Sequence, residues 1–249
     1  MIIFTDFKTK CSNYCLLAIN QYHKIHLYPK LIYFIDTNVL ELKANVEYSK
    51  IELLHKIASE KNLVNNQYIS IDYPPDMNLQ YSDIFIKKSI INNLKYKNNS
   101  HYICTIQYNF MDIQDFEYQF NYLKDKINFN NKIIGFGNLC RILRIKGKTH
   151  IQELEYIQNI ALFLSKAIKK LHWIHLYGLS FQVSEYLIPI LMKANNKCII
   201  SIDSTKWTKA IDSYLKWKYG FQCNSTNRNL YFLYYIHKLM EKAKIPIFY

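Results

Sequence analysis

Four side chains occupy one kind of position in this sequence. Asp36 closes the apolar run LIYFI, Asp72 closes YISI, Gln107 closes ICTI and Asp203 closes IISI. A carboxylate at the end of a buried strand costs free energy unless something uses it. Acids and an amide brought from different strands to one rim make the pattern of a catalytic pocket, where a carboxylate can act as nucleophile or proton carrier. The plainer alternative for any one of them is that Asp and Asn open loops and cap the next helix. Two more strand ends supply small groups: KIIGFG runs through Gly137 into Asn138, and HWIHLYG ends on Gly178. His175, close to Gly178, either lines the same pocket or sits satisfied in the core.

Other chemistries lack their motifs. There is no GxGxxG, no Walker A loop and no GxSxG. GFGN at 135–138 has two glycines and stands alone, which is little for a phosphate loop. The histidines of HWIH, His172 and His175, would face opposite sides of a strand and so do not suit one metal ion. Cysteines at 11, 15, 104, 140, 198 and 223 are scattered without a CxxC, and Cys11 and Cys15 lie at helical spacing. Such thiols are expected to be structural, in a reducing compartment. The expected location is the cytoplasm, or a host's cytoplasm for a viral source.

The elements that must position these groups alternate. Apolar runs at 31–36, 67–73, 101–107, 132–137, 172–178 and 198–203 read as strands, with ends 25–40 residues apart. Helical periodicity fills the gaps, from Val46 to Glu60, Tyr81 to Leu94, Phe116 to Ile127, His150 to Leu171 and Val183 to Ala194. Pro189 predicts a late start or a kink in the last of these. IIFTDF at the start, followed by a helix from Cys15 to Tyr22, and GFQCN at 220–224, followed by a helix from Leu230 to Ala243, bring the count to eight strand–helix units. The expected fold is a compact, single-domain (β/α)8 TIM barrel over residues 1–249, with a doubly wound open sheet as the rival. No linker rich in Pro, Gly or Ser divides the chain.

The formal charge is +13, from 32 Lys and Arg against 19 Asp and Glu. An excess of this size suits a polyanion such as nucleic acid, although AT-rich coding also favours lysine. The chain opens without a signal-type segment, and no run approaches the roughly 18 apolar residues of a membrane span. A membrane partner is not expected, and no patch establishes an oligomeric state.

Taken in order, IIGFGNL (133–139), HWIHLYGLS (172–180) and CIISIDSTKW (198–207) resemble the tRNA-guanine transglycosylase superfamily, and more closely its DNA-acting branch, the DpdA-type 7-deazaguanine transglycosylases. The likeness runs from about Leu31 to Trp207, and the family fold is a TIM barrel. It implies that Asp203 is the nucleophile and that Asp36 handles protons and contacts the base, although DTNV here replaces the family's DSGG. Asp72 and Gln107 would read the purine, and Gly137, Asn138, His175 and Gly178 would line the base. Asn138 replaces a glycine of the tRNA enzymes. The zinc cluster of those enzymes has no counterpart, since only Cys223 and His237 follow Asp203. No metal, no cofactor and no zinc-binding subdomain are therefore expected.

The implied reaction replaces guanine in DNA with a 7-deazaguanine such as preQ0. An aspartate below C1′ would stabilise an oxocarbenium-like transition state and then bond to the sugar, as in retaining glycosidases. Asp72 could accept from guanine N1–H and the 2-amino group while the Gln107 amide donates to O6. Tyr73, Tyr108 or Phe136 could sandwich the ring. The base must first leave its stack, with Arg141, Arg144, Lys146 and Lys206 holding the backbone and accessory DNA-modification proteins possible partners. A tRNA transglycosylase and a catalytically silent nucleic-acid-binding barrel are the alternatives.

Overall fold

The computed structural model describes residues 2–4, 14–18, 22, 30–36, 48–60, 63, 67–73, 82–108, 113–139, 150–203, 220, 234–235, 237–239 and 241–242. Eight strands and five helices are described. They are β1 (Ile2–Phe4), β2 (Tyr14–Ala18), β3 (Ile32–Asp36), α1 (Tyr48–Ser59), β4 (Gln67–Ile69), α2 (Ser82–Lys95), β5 (Cys104–Gln107), α3 (Ile113–Lys126), β6 (Ile133–Gly137), α4 (His150–Ala167), β7 (Trp173–Leu176), α5 (Phe181–Ala194) and β8 (Ile199–Asp203). All ladders are parallel, as buried β-branched runs between helices require. One sheet has the order β1-β8-β7-β6-β5 and the other β2-β3-β4. No helix among the described residues is long and apolar enough to cross a membrane.

The two sheets meet twice. An isolated parallel bridge joins Ile69 to Tyr102. There the Ile69 N–H donates to the His101 carbonyl at 2.8 Å, and the Ile69 carbonyl accepts from Ile103 at 2.9 Å. At the other side β1 lies beside β2. Mixed α/β architecture with parallel sheets is thus as expected; among the described residues the ladders do not run continuously around all eight strands.

Alternation decides which side chains meet. Cys104, Ile106, Ile134, Phe136, Ile174, Leu176, Ile200 and Ile202 pack outward into a core shared with α3, α4 and α5. Tyr33, Ile35 and Ile69 do the same against α1. The intervening residues face inward, and Phe34, Ile103 and Ile133 form a floor with Ile32, Tyr68 and Trp173. Phe34 and Tyr68 of one sheet lie 5.9 and 5.7 Å from the Trp173 ring of the other. The sheets therefore face each other across a shared interior, with the helices outside.

Two sequence expectations need correction. The stretch from Cys15 to Tyr22 was expected to be helical, but Tyr14–Ala18 is a strand in register with Ile32–Asp36. Cys15 and Leu17 are buried against β3, and pairing with that strand overrides a local pattern too short to distinguish helix from strand. α5 begins at Phe181, two residues ahead of the expected start, and runs through Pro189. Ser180 caps it, accepting from the Val183 N–H at 3.3 Å. Of the proposed last strand only Gly220 is described; the rest lies outside the described residues. Residues 234–235, 237–239 and 241–242 are helical, and Tyr235 donates to Ser184 of α5 at 3.3 Å.

Candidate functional site

Side chains two apart on a strand share a face, so the inner-face parity carries upward from the apolar floor. Above Tyr68, Ile103, Ile133 and Trp173 come Phe34, Ser70, Thr105, Gly135, His175 and Ser201. Next along the chain come Asp36, Asp72, Gln107, Gly137 and Asp203. The register agrees: Thr105 pairs with Gly135, Gly135 with His175 and His175 with Ser201. All four residues picked from strand ends therefore share the inner face, at the carboxyl ends of parallel strands. Asp36 is half-buried there.

Asp203 is buried. Its Oδ1 accepts the Gly178 main-chain N–H at 2.5 Å and lies 3.7 Å from His175 Nε2. Gly178 has φ +65°, a conformation that glycine adopts without penalty, and the turn it makes after β7 aims its N–H at the carboxylate. Gly178 thus contacts the acid. His175 is wholly buried and lies one step deeper than Asp203.

Asp72 takes hydrogen bonds from two side chains and from its own backbone N–H. Gln107 Nε2 donates to Oδ2 at 2.6 Å and the Ser70 hydroxyl to Oδ1 at 3.1 Å. Ser70 in turn bonds the Thr105 hydroxyl at 2.8 Å. Asp72 keeps some surface open, but its carboxylate is enclosed. That burial pushes its pKa up, and the nearby Asp203 charge adds to the push against these hydrogen bonds. Burial raises the Tyr177 pKa well above the usual phenol value, and the charges of Asp72 and Asp36 raise it further.

Gln107 is fixed from behind. Gln119 of α3 accepts from its N–H at 3.2 Å and donates to its carbonyl at 2.9 Å. Asn93 of α2 does the same for Thr105, at 3.1 and 2.7 Å. These amides complete the β5 backbone where β4 bonds it only around Ile69. In front, the glycines of β6 leave room. A Cβ on Gly137 would fall 2.3 Å from Gln107 Oε1, and one on Gly135 would fall 2.6 Å from the Tyr177 ring.

Gln107 Oε1 and Asn138 Oδ1 are buried acceptors without a donor. Asn138 is a non-glycine residue at φ 68°, anchored where its Nδ2 donates to the Tyr108 carbonyl at 2.9 Å. A bound group rich in N–H would satisfy both oxygens.

The aromatic residues proposed to sandwich a base do other work. Phe136 faces outward, 5.6 Å from Phe116 and 6.3 Å from Phe120. Tyr108 packs on Phe116, and Tyr73 stacks on Phe85. Arg141, Arg144, Lys146 and Lys206 lie outside the described residues. Sequence reasoning missed Ser70, Thr105, Ser201 and Tyr177. The first three sit two residues before Asp72, Gln107 and Asp203, and strand alternation was the signal for them.

No protein-family model matches the chain, and no curated protein matches it.

Proposed function

We propose that the protein is a base-exchange transglycosylase that replaces guanine in DNA with a 7-deazaguanine. Asp203, Asp72 and Gln107 sharing one inner face is the observation that carries this reading. Support for a (β/α)8 barrel comes from the order of the strands. With β1 beside β2 and β4 bridged to the start of β5, spatial order follows chain order throughout.

In the proposed reaction Asp203 Oδ2 attacks C1′, since Gly178 and His175 both approach Oδ1. The C1′–N9 bond breaks, its electron pair leaves with guanine, and the departing base takes up a proton. Asp36 is the acid assigned to that transfer. The 7-deazaguanine then gives up its N9 proton and attacks C1′, and Asp203 is released with overall retention. An interior that excludes water favours exchange over hydrolysis.

Asp72 would receive the N1–H and 2-amino donors of the base, with Gln107 beside it. A net charge of +13 suits a nucleic-acid partner. The test is incubation with labelled preQ0 and either guanine-containing DNA or tRNA. Label in DNA is expected. Label only in tRNA would transfer the activity to that substrate, and label in neither would overturn the reading.

A further inference from the structure

The sequence suggests that His175 meets the base, but its surroundings point to another task. Ser201 has one hydroxyl hydrogen, which it donates to the Ile174 carbonyl at 3.0 Å. It accepts from Trp173 Nε1 at 2.8 Å. Its contact with His175 Nδ1, at 2.9 Å, therefore uses the remaining lone pair, and Nδ1 carries the hydrogen. The imidazole also stands edge-on to two rings, with centroids 4.7 Å away at Phe34 and 4.3 Å away at Tyr177. Its rotation is blocked on both counts. Nε2 is left 3.7 Å from Asp203 Oδ1.

We propose that His175 is the positioning residue of the nucleophile, its ring locked by Ser201 so that the imidazole edge packed against Oδ1 and the Gly178 N–H together orient Asp203 with Oδ2 toward the sugar. This rests on the base-exchange reading. The charged and titratable groups around the ring are Asp203 from β8, Tyr177 beyond β7, and Asp36 and Asp72, whose charges act on Tyr177. The described inner face carries these acids and no lysine or arginine.

The experiment is steady-state exchange of labelled preQ0 into a guanine-containing oligodeoxynucleotide, with kcat and KM measured against pH. In His175→Ala, kcat should fall about 100-fold, the scale of a misplaced reacting group, with KM within about threefold. His175→Gln, which keeps a planar polar group of similar reach, should recover most of kcat. Ser201→Ala, which releases Nδ1, should lower kcat about tenfold at unchanged KM. If His175→Ala does not fold, the other two variants carry the test.

Active wild type with kcat unchanged in His175→Ala and Ser201→Ala, or with His175→Gln no better than His175→Ala, overturns the role of His175 alone. Wild type that exchanges no base overturns the transglycosylase reading and this role with it.

Discussion

Asp203 and Asp72 share an inner face, yet opposite means hold them. Asp203 takes a main-chain N–H from Gly178, and its neighbouring strands pair along their length. Asp72 follows a three-residue strand joined to β5 by a single bridge, and the side chains of Ser70 and Gln107 donate to it. Where ladders are complete, the backbone fixes the acid. Where they open, amides from α2 and α3 stand in for the missing strand, and the acid depends on a chain of side chains. In the proposed reaction this division is useful: the nucleophile stays in place, while the reading pair can release each other to meet a base.

The largest break in that comparison is removal of the fixed acid. Asp203→Asn should lower base exchange at least about a thousandfold while leaving the fold intact, since Gly178 still finds an oxygen acceptor. Mass spectrometry should detect a protein–DNA adduct in the wild type and none in the variant.

On the other side, Gly137→Ala drives a methyl into Gln107. Displacement of the reading amide should lower kcat/KM about 100-fold, with far-UV circular dichroism unchanged. Gln119→Leu removes both partners of the Gln107 backbone. Leaving a buried N–H and carbonyl unpaired should cost about 2 kcal/mol in urea unfolding.

The smallest effect is the most specific to Asp72. Its pKa is raised in the folded state, so the protonated form is favoured on folding. Stability is full below the ordinary carboxylate pKa of about 4 and declines as pH rises through the folded value. Asp72→Asn removes that loss. Its Tm should exceed the wild type by roughly 2 °C at pH 7 and match it below about pH 4. The same variant should lose base exchange, which separates reading the base from stabilising the fold.

Much of this was legible from residue order. Asp36, Asp72, Gln107 and Asp203 stood out because a polar group after an apolar run is costly without a use, and all four fall on the inner face. The strand from Tyr14 was not legible, because five apolar residues carry no decisive period and only β3 selects their conformation. Phe136 looked available to a base because nothing local distinguishes the outer face of its strand from the inner. His175 could be placed near the pocket by its neighbours, but its task follows from Ser201, which is 26 residues away and becomes adjacent only through the β7–β8 ladder.

The sequence by itself determined the alternation of strand and helix and the acids that close the strands, because these are written in local hydrophobic period. Tertiary structure decided which of those acids rests on backbone and which on side chains, because hydrogen-bond partners are chosen among groups that only folding brings within 3 Å or so of one another.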